Sequence, residues 1–563
     1  MHVLWMHITR HTHICICIRA PLHPRCATRL DAPRALRCCE RAGCILYYTI
    51  LESDLVQPLQ VYAASGTAGE GGEGGGAVVP NVLCVWLIDA DGVQCMAKAP
   101  AIGTDGRSLE QLCTDLTTKL TLCFGECVTR GPPISSEVFA QRREELLGRG
   151  VELSPDASGR LDVSAELTLL SKLLLAPVLD KLKPDAPITI VPHLALHGVP
   201  FAALPLADGT PLVESHALGF APSLTTLRQL HKRAQHAPAP PPAAGSAPAH
   251  LIVGGATTAT SFELPIIPAS AREARDVAQA LGVSSVPTAA DPDPAVAAAA
   301  TGGGGLLVGA DATAEIVGRV LASSELRCVH LACHARPNCL ALGKMTGLLR
   351  AGGEDGESGE KTGEVAVSKD DETAGNGGGK KVDGETAAVD VSDGVDSVAA
   401  AVAAGLELSA EAKAMAEAVK AEAKAQEEAE AEAEAEAALG PTASGLLTLE
   451  ALAELPLLSY PTIVITGSHG AAGQLSQDGV LGLRRSFLAA GARSVLAAAW
   501  DTADEPTHIM MKAFYAALTV ESPPSQAQAL RVAMRALRAA DGGKWDHPAY
   551  WASWSIVGAA RGI

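Results

Sequence analysis

Aromatic residues are scarce in this 563-residue chain, at 3%. With hydrophobic residues at 48%, any core must be built mainly from Ala, Leu and Val. No run of eighteen apolar residues occurs, so no membrane-spanning helix and no membrane partner are expected. No basic stripe marks a nucleic-acid surface. No cysteine lies beyond Cys339, and six of the 14 precede residue 50, a distribution unlike a disulfide framework. That points to a reducing, cytoplasmic setting. Cys123 and Cys127 have the spacing of half a metal site, but no second half follows, so neither a metal nor a cofactor is expected. No period of 30–45 residues recurs, which excludes a helical solenoid within the chain.

Charge is present but unevenly placed. Of the net −19, residues 352–440 hold 23 acidic against 7 basic side chains, whereas residues 1–50 hold 7 basic against 2 acidic. The acidity therefore belongs to one segment and describes no general partner surface.

Residues 1–54 read as a leader, either disordered or not true coding sequence, because His11-Thr-His-Ile-Cys-Ile-Cys-Ile18 has a two-residue monotony. Basicity leaves an organellar transit peptide as the alternative, and a His/Cys metal tract as a third reading. Residues 55–160 read as a β-hairpin and helical segment, with strands over 81–98 turning at Asp89-Ala-Asp-Gly92 and a helix over Ser108–Leu122.

From Ser164 short apolar runs alternate with helices. A helix over 164–182 leads to strands at 188–192, 250–254, 306–308, 328–333, 462–466, 494–499 and 554–557. Further helices fall at 270–281, 312–322, 447–455, 479–490, 505–518 and 525–540. This predicts an α/β fold with a mainly parallel sheet sandwiched by helices. Residues 161–351 form its first part and 441–563 its second. Between them, 352–440 is an acidic low-complexity insertion. Its first half cannot bury enough apolar surface to order. Ser409–Leu439 is nearly all Ala, Glu and Lys, a solvated helix stopped by Gly440-Pro441.

The chemistry concentrates at Pro461-Thr-Ile-Val-Ile-Thr-Gly-Ser-His-Gly470. It is a buried strand followed by a tight loop, the place where reactive groups sit in open α/β sheets. Several further motifs occur in a fixed order: Ile190-Val-Pro-His-Leu-Ala-Leu-His-Gly-Val-Pro200, Val329-His-Leu-Ala-Cys-His334, Gly445-Leu-Leu-Thr-Leu-Glu450, Gly479-Val-Leu-Gly-Leu483, Trp500 with Asp504, and His547-Pro-Ala-Tyr-Trp551. From about Ala165 to Gly558 the chain resembles CHAT domains, caspase-like domains related to caspases, separase and gingipains and often found beside tetratricopeptide repeats.

The resemblance implies a caspase-like sheet and a Cys/His dyad. His334 takes the histidine position. The cysteine position falls on Ser468, and no register shift supplies a thiol there. A thiol is partly ionised at neutral pH, whereas a serine hydroxyl needs a tightly held base, an orienting third group and an oxyanion hole. The expected function is therefore that of an inactive pseudoprotease acting on protein or peptide partners as an interaction or regulatory module. The alternative is a peptidase-like hydrolase using Ser468 and His334. A third possibility is a fragment of a longer protein that has lost a repeat region or partners with one. Asp504 matches an acidic family position and is a candidate substrate-binding residue, with a helix N-cap as the competing role. Gly467 is a second candidate, through its backbone, while His197, Cys333 and His469 are expected to be structural.

The insertion lies between the His-bearing and Ser-bearing strands. Limited trypsin or Glu-specific proteolysis is expected to cut first within 352–440. Earlier cuts elsewhere, with 352–440 intact, would contradict an exposed tether.

Overall fold

The computed structural model describes residues 43–51, 81–89, 91–124, 129–130, 136–236, 249–256, 264, 267–283, 305–323, 325–342, 445–457, 459–476 and 479–558, together with a short ribbon, Trp5–His7 against His13–Cys15. The helix expected over 409–439 lies outside the described residues.

One eleven-stranded sheet organises the rest. In chain order its strands are β1 (Cys44–Leu51), β2 (Val82–Asp89), β3 (Gly92–Pro100), β4 (Ile188–Val191), β5 (Leu218–Phe220), β6 (Ala249–Gly254), β7 (Gly305–Val308) and β8 (Leu326–Ala332). A three-stranded side sheet follows, made of β9 (His334–Arg336), β10 (Cys339–Ala341) and β11 (Leu446–Thr448). Then come β12 (Thr462–Ile465), the ribbon β13 (Gln474–Ser476) with β14 (Gly479–Leu481), β15 (Ser494–Ala498) and β16 (Trp554–Gly558). Across the main sheet the order is β3-β2-β1-β4-β5-β16-β15-β12-β8-β6-β7. From β1 through β7 every neighbouring pair is parallel except β15 with β16. The hairpin β2–β3 adds antiparallel strands at one end.

Side chains alternate between two cores, as strand pleating requires. Cys328, Val464 and Leu496 face one core, while Val329, Ile463 and Val495 face the other. The first core is covered by α1 (Leu109–Leu122), α3 (Ser164–Leu174), α5 (Pro268–Ala280), α9 (Asp504–Leu518) and α10 (Gln526–Ala539). The second is covered by α4 (Leu224–His236), α6 (Ala314–Ser323), α7 (Leu449–Glu454) and α8 (Leu483–Ala490). Two helices lie at the margins, α2 (Ser136–Gly148) and α11 (Pro548–Trp551). Large rings are few, yet Trp500, Trp551, Trp554, Phe487, Phe514 and Tyr515 are fully buried.

Three expectations need correction. Residues 44–51, assigned to the leader, are strand β1, paired with both β2 and β4. The 81–98 hairpin is thereby joined to the same sheet and does not merely precede it. The helix expected over 479–490 begins only at Leu483: Gly479 has φ of +104°, and a Cβ on Gly482 would lie 2.4 Å from the Ala472 carbonyl oxygen, so this backbone forms a ribbon strand and turn. The helix expected over 164–182 stops at Leu174, ahead of Pro177.

Because β1 is an interior strand, a chain beginning at Gly43 should melt like the full protein. One beginning at Leu55 loses the buried side chains of Ile45, Leu46 and Tyr48, at about 1.5–3 kcal/mol each, and should lose cooperative unfolding by circular dichroism. Equal melting of the two would show β1 to be dispensable.

Candidate functional site

Strand register brings the two resemblance-derived positions together. Leu331 of β8 pairs with Ile465 of β12, and Ile465 pairs with Ala497 of β15. His334, Ser468 and Trp500 each lie three residues beyond those paired positions, so three loops meet at the carboxyl edge of the sheet. Gly467 lets two of them touch: a Cβ there would lie 2.4 Å from the Cys333 carbonyl oxygen and 2.6 Å from the Ala335 nitrogen. Any larger residue would push the serine turn off the histidine strand.

Between the loops runs a segment that sequence reasoning did not single out. Arg130 donates its N–H to the Thr502 carbonyl at 2.9 Å, and Thr129 bridges Ala503. The Arg130 carbonyl accepts from His334 Nδ1 at 3.0 Å and from the Ser468 N–H at 3.4 Å. A carbonyl can only accept, so His334 carries its proton on Nδ1 and, when neutral, has its lone pair on Nε2. His334 and Ser468 are both buried. The Ser468 hydroxyl accepts the Thr502 N–H at 3.1 Å. His469 sits in the left-handed region at φ +59°, turns its ring toward Asp501 at 3.2 Å and directs its N–H to the Trp500 carbonyl. The Ser468 and His469 amides thus face carbonyl oxygens, which is not how an oxyanion hole is arranged.

The Arg130 guanidinium has no exposure. Its Nη2 lies 2.9 Å from Glu273 Oε2, its Nη1 3.1 Å from Oε1, and its Nε 2.9 Å from Asp504 Oδ1. Nη1 also donates to the Thr466 hydroxyl, which donates to Glu273. His330, inside β8, donates from Nε2 to Glu273 at 2.9 Å, and its Nδ1 meets the Tyr515 hydroxyl at 3.0 Å. Burial alone would raise the Glu273 carboxyl, but Arg130 and His330 outweigh it and hold it at about 2. Burial also lifts the Tyr515 hydroxyl well above its ordinary range and the Cys333 thiol up to about 12. Cys333 is thus a neutral core residue.

Asp504 is placed differently from either sequence-based role. Its Oδ1 is taken by Arg130 and its Oδ2 accepts the Ala269 N–H at 2.7 Å. It caps the start of α5, and it is the first residue of α9, whose N-cap is Ala503. Arg130, Glu273 and His330 were the omissions. Glu273 and His330 left a signal, an ionisable residue on the apolar stripe of α5 and another within the buried run Cys328–Ala332; Arg130 left none. Among the described residues no cluster of metal-ligating side chains occurs.

The protein is therefore an α/β domain whose paired strand ends carry His334 and Ser468 side by side. A family model described as CHAT domain matches residues 164–388 and 395–559. The chain belongs to the CHAT domain family. Tetratricopeptide repeat protein 28 of Mus musculus is 32% identical over 115 residues, 20% of this chain and 4% of that protein. The Homo sapiens protein of that name is 31% identical over 113 residues, again 20% and 4%. The matched segment is thus a small part of those relatives. Two structures of the Saccharomyces cerevisiae separase–securin complex, at 3.0 and 2.6 Å, align at 10% identity over 94% and 82% of this chain and 30% and 23% of theirs, with TM-scores of 0.42 and 0.31.

Replacing Arg130 with Met leaves two buried carboxylates uncompensated and should cost about 3–5 kcal/mol in urea unfolding; a loss below about 1 kcal/mol would show the pairing to be dispensable. Glu273 is held at about 2 against an ordinary 4.5, so its stabilisation is present above pH 4.5 and lost as pH falls toward 2. Glu273→Gln should flatten acid denaturation in that window. An unchanged acid limb would contradict the assignment.

Proposed function

We propose that this CHAT-family chain is an interaction or regulatory module, a pseudoprotease that holds a protein or peptide partner without cutting it. The observation that best supports this is Ser468, buried and with its hydroxyl engaged by the Thr502 N–H. To act as a nucleophile the hydroxyl would have to give its proton to His334 while the Thr502 N–H, held against one of its lone pairs, draws electron density from the oxygen. The neighbouring amides, which would have to stabilise an oxyanion, face protein carbonyls. A thiol in the same place would lose less, since it needs less activation. The similarity to tetratricopeptide repeat proteins favours protein partners, including a repeat region on the same or another polypeptide. Eight free cysteines among the described residues fit a reducing, cytoplasmic setting.

One observation favours the alternative, a hydrolase using Ser468 and His334: Arg130 holds the histidine in the tautomer that a general base needs. The two readings separate in one assay. The purified 563-residue protein, incubated with Lys/Arg- and Asp-containing peptide libraries, should give no turnover above buffer. Turnover abolished by both Ser468→Ala and His334→Ala would overturn the pseudoprotease reading. Ser468→Cys is the sensitive variant, and activity gained there would show that the substitution at this position is what silences the site.

A further inference from the structure

A second feature lies beside β16, where strands β4 and β5 run opposite to β15, β12 and β8. A partly open cavity of about 60 Å³ is bordered by the residues that follow three strands, Pro192 after β4, Pro222 after β5 and Trp500 after β15, and by Ser553 ahead of the antiparallel β16. Trp500 is the residue whose carbonyl receives the His469 N–H, so the cavity adjoins the Ser468 turn.

Its chemistry is one-sided. Arg484, Arg485, Arg531 and His197 line it, and no lining residue is acidic, in a chain whose net charge is −19. Arg531 is satisfied by the Val213 and Glu214 carbonyls and by Asp185. Arg484 is not. Its Nε is buried without a hydrogen-bond partner, and among the described residues no carboxylate pairs with it. Burial with no counter-ion pulls the guanidinium down to about 9, still charged at neutral pH. Burial, then Arg484, then His193 push the His197 ring down to about 4, so it is neutral there. Arg484 is half-buried, and a guanidinium with a buried, unpartnered Nε and no anion beside it is a cost to the fold. That cost is offset when a ligand brings the anion.

We propose that this cavity is a carboxylate-recognising subsite, in which Arg484 and His197 receive an acidic side chain or a free C-terminus of a bound peptide. This rests on reading the site at the Ser468 turn as peptide-binding. The apolar walls formed by Phe220, Leu488 and Val480 suit the methylenes that precede a side-chain carboxylate. The guanidinium fork matches a carboxylate's two oxygens.

The test uses the full chain and three fluorescein-labelled hexapeptides of otherwise identical sequence. One has a central Glu and an amidated end, one a central Gln and a free C-terminus, and one a central Gln and an amidated end. By fluorescence polarisation, a carboxylate-bearing peptide should bind about 10- to 100-fold tighter than the neutral one; which of the two does so identifies the source. Arg484→Met should abolish the preference while leaving thermal stability equal or higher, and Arg484→Lys, charged but unforked, should keep part of it. In the unsubstituted protein the preferred peptide should raise the His197 titration seen by NMR. Equal binding of all three peptides, no binding, or a preference that survives Arg484→Met would overturn the proposal. Mass spectrometry of the same samples separates the two readings. Cleavage that depends on Ser468 would defeat the non-catalytic function without touching the carboxylate preference. Uncleaved, unselective binding would defeat the subsite alone.

Discussion

A guanidinium with no exposure can persist only where anions and acceptors meet it, and Arg130 is the point on which the sheet's carboxyl edge converges. Its charge ties together Glu273 on α5, Asp504 at the start of α9 and Thr466 at the end of β12. Its carbonyl ties His334 to the Ser468 amide. One residue thus supplies the electrostatic clamp with its side chain and the positioning with its backbone. Neither function survives displacement of the other, because both depend on the segment at 129–130 remaining threaded between the loops. Arg130 lies outside the stretch matched by the family model, so the edge of this domain is completed by chain that precedes its family-defining part.

The clamp continues inward. Glu273 is shared between Arg130 and His330, and His330 passes the contact to Tyr515 on α9. Polar groups at this depth are tolerated because nearly every donor finds an acceptor. The arrangement is directional as well. A carboxylate between two donors fixes the His330 tautomer and pulls α5 and α9 onto the same face of β8. The loops carrying His334 and Ser468 therefore rest on a charged floor and not on a purely apolar one. A floor of that kind resists a shift of one strand end past another, since any slip would strand an ion in low dielectric.

How much of this could be read in advance differs by level. The buried runs at 188–192, 328–333, 462–466 and 494–499 were legible because strand-length apolar segments separated by helical periods leave few other arrangements. Strand β1 was not, because Cys44–Leu51 follows a compositionally odd, basic stretch and, like it, carries a cysteine. Strand β5 was too short, at three residues, to show a pattern. The ribbon 474–481 was hidden because Gly479-Val-Leu-Gly-Leu483 has apolar spacing that suits a helix, and only the positive φ at Gly479 rules that out locally. His334 and Ser468 were visible through motif order. Arg130 was invisible in principle: it is an isolated arginine in a loop, and its partners are contributed by residues 143 to 374 positions away. Asp504 was noticed as acidic and near the site, but sequence could not show that both its oxygens face inward.

The serine gains its meaning from these surroundings. A hydroxyl is nearly isosteric with the thiol that the resemblance implies at this position, so such a substitution would leave the turn intact; its cost would be chemical and fall on activation. In this chain the hydroxyl has been given a different task, accepting the Thr502 amide, on the same loop that receives the Arg130 N–H and supplies Asp504 to the clamp. Ser468 therefore helps close the edge that an attacking group would need open. The cationic cavity beside it is lined by Arg484, whose buried Nε has no hydrogen-bond partner. On the proposed reading, a surface that no longer maintains a nucleophile but keeps a cation facing the cavity would hold a partner without cutting it.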